Sequence, residues 1–308
     1  MDKFDTRLYS IVLHGNMGVS LVSTVMAFFF ILKHSPKSLG SYKYYMCNIS
    51  LWSFLFDIYM TILYVPKPLF PALAVCSGGL LKGFGWFYGG EIAYFVFLLF
   101  FGACSMSVVS AFGYRLLILK NKEFWIKSKT WISSLAFLHI FYWTPTWILA
   151  AVAAKDHDTI VRSVMKEYPS MDPNFPTDSC YSTSFSVSKV SYVFITVCCL
   201  QYFTFVPVIS TLAYFCHRSL KVSREKMSPK TFRMHRELIF SLLFQIAAPM
   251  ITLFIPYSVM AAMIIFQVDN VQGFNQIGLL AATFHTTLNT LIVIFSIRPY
   301  RKAFLGYI

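Results

Sequence analysis

The sequence predicts an all-α membrane protein, a bundle in which about seven helices cross a lipid bilayer. Three observations carry this. The chain of 308 residues is 57% hydrophobic and only 13% charged, with a mean hydropathy of +0.61, far more apolar than a water-soluble domain. Seven apolar runs are each long enough for the roughly 20 residues that span a hydrocarbon core. The basic residues gather in alternate loops between those runs.

The first run covers about 11–32, where no charged side chain interrupts it. Its length, and the lack of a small-residue cleavage site before the next basic loop, favour a true span over a cleaved signal peptide. The second covers 45–65 and holds one acid, Asp57. The third covers 92–114, its start set by Gly78, Gly79, Gly83, Gly85, Gly89 and Gly90, which favour a loop. The fourth, fifth, sixth and seventh cover 131–153, 190–214, 238–266 and 277–297. No repeat, low-complexity tract or linker interrupts the chain, so residues 1–308 read as one domain. Pro145, Pro207, Pro249, Pro256 and Pro299 fall in or at the ends of spans, where each removes a backbone donor and tends to kink a helix.

Of the 26 Lys and Arg residues, 18 lie in the loops on the side of the carboxyl terminus. Eight of the 13 acids lie on the other side. Basic loops are retained in the cytoplasm, so the carboxyl end is expected inside and, with seven spans, the amino end outside. The excess of positive charge thus sits beside the membrane on one face. That suits topology and anionic lipid better than nucleic acid, and no nucleic-acid partner is expected.

Five of the seven cysteines fall in or beside spans. Cys76 and Cys180 lie in the expected outer loops, the compartment in which disulfides persist, and are read as a bridge. Two free thiols are the alternative. The Asn48-Ile49-Ser50 sequon falls on the inner side and is discounted.

Ionisable and amide side chains in hydrocarbon need a partner or a role. His139, Gln201 and His285 are candidates for ligand contact, together with Trp86 and Glu91 near the outer mouth. Asp57 and Gln245 read as structural polar groups within the bundle, which is also the plainer reading of His285. An interfacial Trp86 can equally be a membrane anchor. No HExxH or GxSxG motif occurs, and no second histidine stands at metal-ligand spacing from His285. An enzyme, a metal site and a cofactor are therefore not expected. A transporter is the rival class, but the inverted repeats it would need are not visible.

Four stretches carry a family resemblance: KHSPKSLGSYKYYMCNISLWSFLFD, which runs to Asp57; VPKPLFPALAVCSGGLLKGFG; MSPKTFRMHRELIFSLLFQIAAPMITLFIP, with Ser228, Thr231, Gln245, Pro249 and Pro256; and FHTTLNTLIVIFSIRPYRKAF, with His285 and Pro299-Tyr300-Arg301. From the first span to Phe304 the chain resembles the class H serpentine receptors of nematodes, with class I a close relative. The resemblance implies a G-protein-coupled chemoreceptor in the plasma membrane of a sensory neuron. It would bind an external small molecule and signal to a heterotrimeric G protein. Arg115, Arg233 and Arg301 are the expected coupling residues. One departure stands out: Gly113 and Tyr114 precede Arg115 where the family usually has an acid and an asparagine.

Overall fold

The computed structural model describes residues 6–36, 39–69, 72–126, 128–169, 175, 179–266, 268 and 272–307. Of the loop charges, Asp2, Lys3, Asp5, Lys37, Lys127, Asp172, Asp178 and Asp269 lie outside them. Seven helices are long and apolar enough to cross a membrane: Ile11–Lys33, Tyr42–Leu63, Trp86–Leu119, Lys129–Ala153, Val190–Glu225, Pro229–Met260 and Gln276–Ser296. The first packs on the second and seventh, the third on the second and fifth, the fourth on the fifth, and the sixth on the seventh.

The interior is largely apolar, yet it also holds ionisable and amide groups, while large apolar side chains cover the outside. Asp57, Arg115, Gln245, His285 and Asn289 are buried. Ile132, Ile140, Ile148, Val193, Leu200 and Val208 stand exposed on the fourth and fifth helices. Such an arrangement suits a bundle whose outer solvent is hydrocarbon.

Several span ends depart from the sequence expectation. The third helix begins at Trp86, because Gly89 and Gly90 belong to it. A Cβ on Gly90 would lie 2.5 Å from the Cys180 carbonyl carbon, so this glycine serves a close backbone approach inside a helix. The fifth helix continues to Glu225, and the sixth begins at Pro229. Ser228 caps it by accepting the Thr231 amide at 3.2 Å, with Pro229 in the first turn, where its missing donor is harmless. The fourth is broken at Tyr142 and Trp143, just before Pro145. After Pro249 the sixth widens into a π-turn at Met250–Phe254.

A small antiparallel sheet, unforeseen in the sequence, lies across the N-terminal face of the bundle. Its strands β1 (Pro66–Leu69), β2 (Ala74–Ser77) and β3 (Cys180–Ser182) run in that order. Cys76 and Cys180 are register partners and form a disulfide. Beside the sheet a short helix, His157–Glu167, buries Ile160, Val161 and Val164 against Ala72 and Phe175. On the C-terminal face the closing helix Arg298–Tyr307 buries Tyr300 and sets Phe304 against Phe30.

Candidate functional site

Beneath the sheet lies a cavity of about 510 Å³, within the roughly 300–1,000 Å³ typical of small-molecule sites. Its roof is Pro66, Pro68, Ala72–Val75, Tyr181 and Thr183. The walls include Tyr94, Phe97 and Leu98 of the third helix, Trp143 of the fourth, and Tyr257 and Met260 of the sixth. Tyr202 and Phe101 close the floor. The Tyr94 and Tyr181 rings stack at 4.3 Å, and the Tyr181 hydroxyl donates to the Ala150 carbonyl at 3.1 Å, which pins the roof to the fourth helix. Tyr202 stacks on Phe254 at 4.7 Å and donates to its carbonyl at 2.9 Å, so the floor is tied to the π-turn of the sixth helix.

One flank is open. The C-terminal half of the sixth helix, Ile255–Ile265, packs on Gln272–Thr283, while its backbone stands off from the fifth helix, which it meets through Ser258 and the Tyr202 hydroxyl. On that side Tyr192 and Phe203, 56% and 47% exposed, line the cavity together with exposed Thr196. The open flank therefore faces the hydrocarbon.

None of the five residues expected to touch a ligand lines this cavity. Trp86 stacks on His157 at 4.3 Å, above the bundle. Burial holds the His157 imidazole below its usual pKa, only partly opposed by Asp158, so the stacked ring is neutral near neutral pH. Glu91 is half-buried one turn above Tyr94. His139 spends its Nδ1 on the Leu135 carbonyl of its own helix at 2.7 Å. Gln201 donates to the Tyr142 carbonyl at 2.6 Å and accepts from the Thr146 hydroxyl, joining the fourth and fifth helices at the break.

His285 sits deeper, 3.6 Å from Asp57, with its Nδ1 also 3.1 Å from the Ala282 carbonyl. Asp57 accepts from Ser20 at 2.5 Å, and Asn16 donates to the Thr283 carbonyl at 2.8 Å, so the first, second and seventh helices share one polar seam. A void of about 70 Å³ adjoins it, lined by Gln245, Asn289, Cys104 and His285. Gln245 donates to Ser241 of its own helix at 3.0 Å. Among the described residues no group of three metal-ligating side chains comes together.

Sequence reasoning missed the cavity because its walls carry no polar signal. Tyr64, Tyr94, Tyr202 and Tyr257 are four of 18 tyrosines in a chain with 32 phenylalanines, and nothing in their spacing separates a cavity wall from an interfacial or lipid-facing ring.

A family model described as serpentine type 7TM GPCR chemoreceptor Srh matches residues 5–308. The chain belongs to this family. The Srh protein is a chemosensory G-protein-coupled receptor, and a transporter is not supported. Among solved structures, a crystal structure of squid rhodopsin is similar with a TM-score of 0.59 at 14% identity, covering 98% of this chain and 86% of that one. At that identity the likeness concerns the seven-helix fold. No curated protein matches the sequence.

At the receptor's C-terminal face, Arg115 is 2% exposed and its guanidinium lies 3.4 Å from the centre of the Tyr42 ring. Tyr114 stacks near Tyr42 at 5.8 Å and Tyr45 at 4.6 Å, and Tyr45 accepts from the Trp131 indole at 2.9 Å. Gly113 leaves room for Trp131, whose ring would lie 3.0 Å from a Cβ there. The residues that replace the usual acid and asparagine thus build an aromatic setting for the arginine. Its Nε and Nη2 have no hydrogen-bond partner among the described residues. Arg233, by contrast, is exposed and paired with Glu237 at 3.2 Å. Arg301 is also exposed, its Nη1 3.4 Å from the Phe295 carbonyl.

Proposed function

We propose that this Srh receptor sits in the plasma membrane of a sensory neuron with its amino end outside, binds a small molecule in the aromatic cavity, and signals to a heterotrimeric G protein at its basic C-terminal face. The cavity carries the reading: it is roofed, of ligand size, and walled by side chains from several different helices. A molecule pressing on Tyr202 and Tyr257 acts on the sixth helix next to Pro249 and its π-turn, where the helix is weakest. The other end of the same helix carries Arg233, and His235 lies near buried Arg115.

A ligand shifts the bundle only as far as its affinity differs between two packings, and an outward swing of the sixth helix would open Arg115 to a partner. Arg115 is then a contact of the active state alone, while Arg233 and Arg301 are available in both.

The test is ligand-evoked signalling in cells carrying the receptor and a promiscuous G protein. Ser258 lines the cavity, donates to the Phe254 carbonyl of its own helix and shares a hydrogen bond with the Tyr202 hydroxyl, so Ser258→Ala controls for the lost hydroxyl and Ser258→Phe fills the space. Ser258→Phe is expected to abolish the response at unchanged surface expression. An unaltered dose-response curve would remove the cavity from the mechanism.

A further inference from the structure

Among the described residues the cavity lining contains no Asp, Glu, Lys, Arg or His. A carboxylate or an ammonium group placed there would leave water for a wall of rings and methyl groups with no counter-ion, a transfer that strongly disfavours the charged form. The wall is nevertheless not polar-free. The Tyr64 and Tyr257 hydroxyls are buried and have no hydrogen-bond partner among the described residues. Tyr64 has 0% exposure, and the two hydroxyls lie within electrostatic reach of one another.

A buried donor left without an acceptor is disfavoured, and both hydroxyls are enclosed in the wall of the empty cavity, so an acceptor on a bound molecule satisfies them once the rings beside them turn aside. The other tyrosine hydroxyls of known partner here, Tyr181 and Tyr202, are already spent on the Ala150 and Phe254 carbonyls. The open flank between the fifth and sixth helices adds a second constraint, since a molecule held there touches hydrocarbon through Tyr192, Thr196 and Phe203.

We infer that the cavity selects an uncharged, lipophilic molecule carrying an oxygen, of the ketone, ester or ether class, that accepts hydrogen bonds from Tyr64 and Tyr257. This rests on the reading of the cavity as the ligand site. It adds what that reading leaves open, the chemistry of the occupant. Tyrosine hydroxyls in a water-poor site donate well to a carbonyl oxygen, and the rings around them receive the alkyl or aryl remainder.

The experiment uses the full receptor in lipid nanodiscs and measures thermal stabilisation, because a molecule that binds the folded state raises the melting temperature. The probes are matched sets on one carbon skeleton each: a methyl ketone, the plain hydrocarbon, the carboxylate and the primary amine. In at least one set the ketone is expected to stabilise most, the hydrocarbon less, and the two ions not at all. Tyr64→Phe and Tyr257→Phe should each weaken the ketone about threefold to tenfold while leaving the hydrocarbon unchanged.

A set in which the carboxylate or the amine binds best overturns the inference, and so does the absence of stabilisation by every set. Equal weakening of ketone and hydrocarbon in the tyrosine variants also overturns it, since the hydroxyls would then serve packing or a resident water. The wild-type comparison needs no variant to fold. G-protein activation is read separately on the same preparation. Ketone binding without activation leaves the ligand class standing and removes the signalling reading, whereas activation by a charged member alone does the reverse.

Discussion

Arg115 carries a full charge in a buried position, and its near neighbours are rings rather than carboxylates. A guanidinium lies flat on a phenol face and gains roughly 2 kcal/mol when desolvated, which an ammonium reproduces poorly. Two of its nitrogens stay unpartnered among the described residues, so the charge is only partly compensated. Arg115→Ala is therefore expected to leave surface expression level or raise it slightly, while ligand-evoked signalling at matched expression collapses. Unchanged signalling would reduce Arg115 to an anchoring charge. The sequence singled this residue out but read its setting only by the missing acid; the ring that replaces the acid comes from the start of another helix, where local pattern cannot reach. The disulfide differs, because compartment and cysteine number already brought Cys76 and Cys180 together as candidates. Cys76→Ser, Cys180→Ser and the double variant should each lower stability by the same amount, about 2–4 kcal/mol, since one bond is lost in all three. Additive losses in thermal denaturation would count against a functional bridge.

Helices and strands were unequally legible. A run of some 20 apolar residues announces a span whatever its neighbours are, so each expected run overlaps one of the seven helices, with the larger departures at the ends of the third, fifth and sixth. The exceptions have physical causes. Glycines that signal a loop at the start of the third helix instead let β3 approach its backbone, and the fifth helix runs beyond the apolar stretch because basic side chains are good helix formers at a membrane surface. The sheet was invisible because its strands are three or four residues long, two prolines fall in β1, and β3 comes from a loop 104 residues further on at the disulfide. Packing between helices is set at single positions. The space a Cβ would need on Gly102 is already filled by the Trp143 indole, where the third helix meets the break in the fourth. Gly102→Ala must displace a ring that also forms a cavity wall, and a loss of about 1–3 kcal/mol is expected from thermal denaturation in lipid nanodiscs. Trp143→Phe in the same chain, with a smaller ring, should recover part of that loss. Full additivity of the two changes would place them out of contact.

For the molecule as a whole, direction in the membrane decides which face meets the ligand and which the G protein, and the bundle geometry is silent on it, because seven helices pack equally well either way up. The decision rests on charge. In the sequence, the loops on the side of the carboxyl terminus hold 18 of the 26 Lys and Arg residues, among them Lys33, Lys120, Arg218, Arg233 and Arg301, against three acids. In the sequence, the loops on the other side hold eight basic residues and eight acids. Basic loops of this length resist translocation and then lie against an anionic leaflet, each contributing about 1 kcal/mol per residue near the surface, so the asymmetry far exceeds what one or two substitutions could reverse. The disulfide-stapled sheet lies on the other face, as an oxidising compartment requires. The disulfide thus accords with the direction proposed from charge. An epitope placed after Tyr307 should be reached by antibody only once cells are permeabilised, and one placed after Met1 should be reached on intact cells. The reverse pattern would put the aromatic cavity on the cytoplasmic side and end the reading of this chain as a sensor of external molecules.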